Sequence, residues 1–347
     1  MYIRKILIAI VIIGLLFMAG FSYFIYAAIF SPNTKFAEQT KSIYIKSDDT
    51  YEDVIRQLRP LVKDISTFHQ VAEKKGYATN IKSGKFEISR DMNNNDLINA
   101  LRSRNIPIKL SFNNQDFAAN LAGRIATQIE ADSLSLLEVI NDNTFLEENK
   151  IPLEHKLSFY LPNTYEMYWN TNAEGFRERM WKEYQNFWNE SRLEKAKAQN
   201  LTPWEVMVLA SIVQKETTQV VERPRVAGVY LNRIRRGMKL QADPTVIFAL
   251  KQKEQKQDAI IRRVLNKDLV IDSPYNTYKY AGLPPGIIGM PDITSIEAVL
   301  NPESHNYLYF VADVSKPGFH KFSTTLAQHN RYANEYRAWV NKQRIYR

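Results

Sequence analysis

The stretch Thr202-Pro-Trp-Glu-Val-Met-Val-Leu209-Ala-Ser-Ile-Val-Gln-Lys-Glu216-Thr-Thr-Gln219 carries the marks of a helix with a defined start. Thr202 suits the N-cap, Pro203 the first helical position, and Glu205 the third, where it closes a capping box. At 100° per residue, Leu209, Ile212 and Val213 share one face. Glu216 falls on that face as well, three and four residues beyond Val213 and Ile212, while Lys215 points away from it. A carboxyl group kept against apolar neighbours loses hydration and stays protonated towards neutral pH. A boundary position, with Glu216 paired to Arg223 or Lys215, fits the same spacing. Periodicity leaves both readings open.

Upstream, the uncharged run Ile6–Phe30 is long enough to cross a hydrocarbon core. Tyr23 and Tyr26 lie where interface aromatics belong, and Arg4 and Lys5 favour a cytoplasmic tail over residues 1–5 with the bulk of the chain exported. A cleaved signal peptide ending near Ala27-Ala28 is the rival, but its apolar region would be long for one. Residues 31–41 are polar and read as a linker. Residues 42–105 read as a βααβ module. A strand with Ile43 and Ile45 precedes a helix opened by Asp48-Asp49-Thr50. A second helix opens at Ser66-Thr67, and a later strand and short helix at 84–103 have Asp96 as N-cap. A similar strand–helix–helix order returns over 106–150, like a degenerate duplication.

From 151 aromatics become dense, and they read either as core or as sugar-stacking faces. Downstream of Glu216 follow a helix from Pro224 to Gly237, a helix opened by Asp243-Pro244, and a long loop over 273–293 with four prolines and three glycines. "NYLYFVAD" (306–313) reads as a buried strand, and a basic terminal helix closes the chain. The fold class is α+β. Across 347 residues the net charge is +9, which suits an anionic partner or a membrane surface, and no nucleic-acid motif accompanies it. There is no cysteine, so disulfides, thiolate metal sites and cysteine nucleophiles are excluded. No HExxH spacing, G-x-S-x-G elbow, P-loop or GxGxxG is present, so neither a metal nor a cofactor is expected.

The motifs of the second half resemble the YceG-like family. They run in order through Ala210-Ser-Ile-Val-Gln-Lys-Glu216-Thr, Glu222-Arg-Pro224, Val229-Tyr-Leu-Asn-Arg233, Gly237-Met-Lys-Leu-Gln241-Ala-Asp-Pro-Thr245, Tyr275-Asn-Thr-Tyr278, Gly282-Leu-Pro-Pro-Gly286, Asn306–Asp313, His320-Lys-Phe322 and His329-Asn330. The resemblance is strong over about 151–340. It implies a LysM-like identity for the N-terminal module and a mixed, mostly helical lysozyme-like catalytic domain with a small β-sheet over 151–347. The implied activity is endolytic murein transglycosylation beside the membrane and the peptidoglycan synthases. It makes Glu216 the catalytic acid. Gln241, Asp243, Thr245, Tyr275, Asn276 and Arg233 become residues that orient sugar or Glu216, with an equally good salt-bridge role for Arg233 and a structural one for Glu222. The chain departs from the family pattern at 157–165. Its Glu-Gly pair is missing, Asn163 replaces Asp, Gln214 stands where Glu is frequent, and Ala242 where Thr is frequent. A non-catalytic murein-binding scaffold and a lysozyme-like hydrolase are the competing readings, and a protease or esterase lacks any supporting nucleophile.

Overall fold

The computed structural model describes residues 2–103, 105–254, 259–261 and 263–342. Contacts divide the chain into two compact units. The first is Met1–Leu110 with Gln128–Ala131 and Glu166–Asn172, and the second is Ser111–Thr127, Asp132–Tyr165 and Ala173–Arg347.

The first unit begins with one apolar helix, α1 (Tyr2–Phe30), none of whose side chains is buried. It is long and apolar enough to cross a membrane. Next come β1 (Thr40–Ile45), α2 (Tyr51–Leu58), α3 (Ile65–Lys74), β2 (Gly84–Ser89) and α4 (Asn94–Arg102). β1 and β2 pair antiparallel, with Ile43 opposite Phe86 and Ile45 opposite Gly84. Alternation turns Ile43, Ile45, Phe86 and Ile88 inward. Against them lie Val54, Ile55 and Leu58 of α2, Phe68, Val71 and Ala72 of α3, and Leu97, Ile98 and Leu101 of α4. The helix starts follow side-chain chemistry. Thr50 and Asp53 form a reciprocal capping box. α3 opens at Ile65, just before Ser66-Thr67, because Asp64 is its N-cap and accepts from the Ser66 and Thr67 amides. Likewise Asn93, not Asp96, caps α4, since the Asp96 amide donates to its Oδ1 at 2.9 Å.

The polar stretch 31–41 is not free chain throughout. Asn33 and Thr34 are buried. The amides of Asn33 and Lys35 donate to the carbonyls of Met92 and Leu61. Asn33 Nδ2 donates to Asn94 Oδ1 at 2.7 Å, and Asn94 Nδ2 donates to the Ala28 carbonyl at the end of α1 at 2.8 Å.

β3 (Pro107–Phe112) pairs with β4 (Asn163–Tyr168). The second unit adds α5 (Ala118–Ala126), α6 (Ser133–Ile140), α7 (Asn143–Glu148), α8 (Ala173–Phe187), α9 (Glu190–Ala198), α10 (Pro203–Glu216), α11 (Arg223–Arg235), α12 (Asp243–Glu254) and α13 (Ile293–Leu300). A hairpin of β5 (Tyr309–Ala312) and β6 (His320–Ser323) precedes α14 (Leu326–Lys342). α10 is the central element. All nine residues from Val206 to Gln214 are buried, so the helix is enclosed on every side rather than along one stripe. α11, α12 and α13 pack on it. The aromatics after 151 pack chiefly on one another, with Phe159 on Tyr160 at 4.2 Å and Tyr184 on Trp204 at 5.2 Å. The "NYLYFVAD" strand is shorter and less covered than its composition suggests, since β5 holds four half-buried residues. The long loop is anchored by close approach: a Cβ on Gly286 would meet the Glu154 carbonyl at 2.5 Å.

Candidate active site

α10 starts as its sequence directs, with Thr202 and Glu205 forming the capping box and Pro203 at the first position. It ends on Glu216, so the carboxyl is delivered at the mouth of a buried helix. The cations that could have neutralised it are engaged elsewhere. Lys215 Nζ lies 2.5 Å from Asp116 Oδ1, and Arg223 pairs with Asp292 at 2.8 Å and with Thr294. Glu216 Oε1 instead accepts a hydrogen bond from the Tyr230 hydroxyl at 2.7 Å. Tyr230 is a fully buried residue of α11 that meets Phe310 edge-on at 5.8 Å.

A cleft of about 430 Å³ opens on Glu216. Gln241, just before α12, and Asp243 at its first position line it, as do Arg233, Tyr278, Tyr309, His329 and Asn330. Gln241 holds a left-handed φ of 50° while its amide donates to the Thr277 carbonyl. Such strain in a non-glycine residue is characteristic of functional sites. The Tyr278 hydroxyl donates to Asp243 Oδ1 at 2.5 Å. Arg233 is buried and spent on the backbone, donating to the carbonyls of Leu308 and Leu240 at 2.6 Å each. It therefore ties together the two segments that flank the cleft.

Burial pushes the Glu216 carboxyl up to about 7; the Asp243 charge adds to this, and the Tyr230 hydroxyl and the Arg233 charge hold it back. Such a group is part protonated and part ionised near neutrality, which suits it to give and take a proton in one cycle. The Tyr230 phenol is raised well above its usual range, first by burial and then by Glu216, so it remains a donor. His329 is lowered by burial and by Arg233 and Arg337, and it stacks on Tyr309 at 5.3 Å. Its neutral ring adds a polar edge to the wall.

Of the residues expected here, Glu216, Gln241, Asp243 and Arg233 come together. Thr245 lies inside the fold, its hydroxyl bonded to the Ala242 carbonyl and to Thr277. Asn276 is fully buried and staples its own loop through the carbonyls of Leu269 and Ile271. Tyr275 turns to Phe248, 4.8 Å away, in a different cavity. Tyr278, three residues on, is the one that reaches the cleft. Glu222 is buried and holds the start of β6 through the His320 amide and ring at 2.8 and 2.7 Å. Gln214 accepts from Asp292 N at 2.5 Å and so fastens α10 to the start of α13. Asn163 lies in another recess, with Asn113, Arg124 and Asp292. Tyr230, Tyr278 and His329 were the residues that spacing did not single out. Tyr230 reads as core at helical spacing, and the only signal for all three was their presence in the ordered motifs.

The fold and cleft define an α+β protein with an apolar N-terminal helix and one carboxyl poised near neutrality against a tyrosine. The model of the YceG-like family matches residues 43–335, and the chain belongs to that family. It is 29% identical to a protein of Bacillus subtilis strain 168 named endolytic murein transglycosylase, over 94% of this chain and 91% of that one. It is 28% identical to the protein of the same name from Streptococcus pneumoniae D39, over 74% of this chain and 51% of that one, so it spans about half the streptococcal protein. Among solved structures, a crystal structure of a yceG-like protein from Listeria monocytogenes aligns with a TM-score of 0.56 at 28% identity, covering 85% of this chain and 99% of the other.

Proposed function

We propose that the protein is a membrane-anchored endolytic lytic transglycosylase of peptidoglycan, with Glu216 as its acid and base. The observation that carries this reading is the Glu216 carboxyl, raised to about 7 and, among the described residues, bonded to the Tyr230 hydroxyl alone. In this reading protonated Glu216 gives its proton to the glycosidic oxygen as the bond from C1 of N-acetylmuramic acid breaks. The resulting carboxylate takes the proton of the C6 hydroxyl, and O6 closes on C1 to give a 1,6-anhydro ring. No water is consumed, and Glu216 ends protonated as it began. A nucleophile tethered in the same sugar gains from proximity and removes the need for a second catalytic carboxylate. Gln241 and Asp243 line the path of the sugar, and Arg233 holds the walls.

Residues 6–30 then span the membrane from a cytoplasmic tail at 1–5, residues 42–105 form a LysM-like glycan-binding module, and residues 151–347 form a lysozyme-like catalytic domain acting outside the membrane near the synthases. The names of the relatives and the apolar α1 helix support this reading.

The test is full-length protein in detergent, incubated with purified sacculi and analysed by mass. Anhydro ends that disappear in Glu216→Gln, with an unchanged circular dichroism spectrum, are expected. Ordinary reducing ends would mean water attack with Asp243 assisting, as in a lysozyme. No cleavage by the wild type would leave a scaffold.

A further inference from the structure

A second cavity, of about 510 Å³, is lined by Asp116, the partner of Lys215. Phe117 and Phe248 form its apolar wall, their rings nearly parallel (9°) at 5.7 Å, and Tyr275 continues it. Asn141, Glu154, Lys156 and Gln252 supply its polar lining. α12 connects it to the catalytic cleft: Asp243 lines the cleft, while Phe248 and Gln252 line the cavity. The rise from Asp243 to Gln252 is about 13 Å at about 1.5 Å per residue.

Lys156 is the distinctive group. It is half-buried, and its ammonium donates to Asn141 Oδ1 at 2.6 Å. No ion pair joins it to a carboxylate among the described residues. Burial lowers its pKa. Asp116 is already held by Lys215 and Lys251. Glu154 stands on the Tyr275 side, where its charge adds to burial in raising the phenol to about 12. The cavity thus offers an unpaired cation at one place, an exposed carboxylate at another, and an aromatic wall between. A half-buried ammonium with one neutral partner gains from a carboxylate ligand.

We infer that this cavity binds a short acidic peptide, the stem carried by the muramic acid of the murein strand, with a peptide carboxylate on Lys156 and its aliphatic part on the Phe117–Phe248–Tyr275 wall. This rests on the proposed substrate and extends it. The polymer is recognised through its peptide as well as its sugar, so strands already stripped of peptide are poorer substrates. The peptide's ammonium, where the third residue is a diamino acid, faces Glu154.

The probe is the synthetic tetrapeptide L-Ala-γ-D-Glu-L-Lys-D-Ala, with its amidated form as control, titrated calorimetrically into full-length protein in detergent. The acid form is expected to bind at least about tenfold more tightly than the amidated form, in line with a charge-assisted bond. Lys156→Met is expected to erase that ratio and Lys156→Arg to restore it, with melting temperatures reporting that each variant folds. Equal binding of the two peptides by wild-type protein overturns the inference, as does an undiminished ratio in Lys156→Met. Glu216→Gln should bind the tetrapeptide as wild type does. Peptide binding without cleavage of sacculi sinks the proposed activity and keeps this site, whereas cleavage without peptide binding does the reverse.

Discussion

Two polar sites, one in each unit, treat their side chains in opposite ways. At the first, the buried Asn33 and Asn94 side chains bond to each other, to the Asp64 backbone, to the Thr67 hydroxyl and to the Ala28 carbonyl. At the second, Glu216 has a single phenol partner among the described residues and otherwise faces a cleft. A satisfied network fixes a conformation. A group buried with too few partners has its proton affinity changed instead, and that is the raw material of acid–base chemistry. The contrast predicts that changes in the first unit act on stability, and changes around Glu216 act on activity and its pH dependence.

The largest expected effect is on chemistry. Glu216→Gln keeps the side-chain shape and its bond from Tyr230 but cannot donate and reclaim a proton. Turnover of sacculi should fall about a thousandfold, within the usual range for loss of a general acid–base group. A loss under about tenfold would return Glu216 to a structural role. In the wild type the acid form must donate, so kcat/KM should fall about tenfold per pH unit above about 7.

The same substitution has a second, opposite effect on stability. The folded protein holds the Glu216 proton more tightly than the unfolded chain does, because burial raises the carboxyl from 4.5 to about 7. Stability from this group is therefore full below about 4.5, is lost as pH rises to about 7, and stays lost above. At about 1.4 kcal/mol per pKa unit the loss is about 3–4 kcal/mol. Denaturant melts should show Glu216→Gln gaining that much on the wild type between pH 4 and pH 8. A gap that does not change with pH would mean that the carboxyl titrates normally.

Asn94→Ala tests the other side of the contrast. It leaves the Asn33 amide with one partner and the Ala28 carbonyl without its side-chain donor. A cost of about 2 kcal/mol is expected from the loss of buried hydrogen bonds. Hydrogen exchange should quicken at residues 33–35, while the pH profile of cleavage stays in place. A shifted profile would break the separation between the two units.

These regions were unequally legible in the sequence. The capping box at Thr202, the delivery of Glu216 at the helix end and the alternation of Ile43 and Ile45 are local, so spacing reveals them. The network around Asn33 is not local. Its members lie 31 and 61 residues apart, and polarity alone reads the segment as a linker. The cleft gathers side chains from α10, α11, α12, α14 and the long loop. In that loop no periodicity tells that Asn276 is spent on Leu269 and Ile271, that Tyr275 faces Phe248, and that Tyr278 is the residue reaching Asp243. Tyr230 was hidden for the opposite reason. Its place on a helix face was legible, and that place reads as core until the partner of its hydroxyl is known.

Tyr230→Phe gives the smallest effect and the finest test. The hydroxyl donates to Glu216 and thereby holds its pKa down against burial. Without it the carboxyl rises further, so the basic limb of the kcat/KM profile should move up by up to about one pH unit, or about 1.4 kcal/mol. The rate at pH 6, where Glu216 is already protonated, should change less than the rate at pH 8, where the variant keeps more of the acid form. A downward shift of the limb would show that Tyr230 stabilises the neutral carboxyl instead. An unshifted limb with a uniformly lower rate would show that the phenol acts on the sugar and not through Glu216.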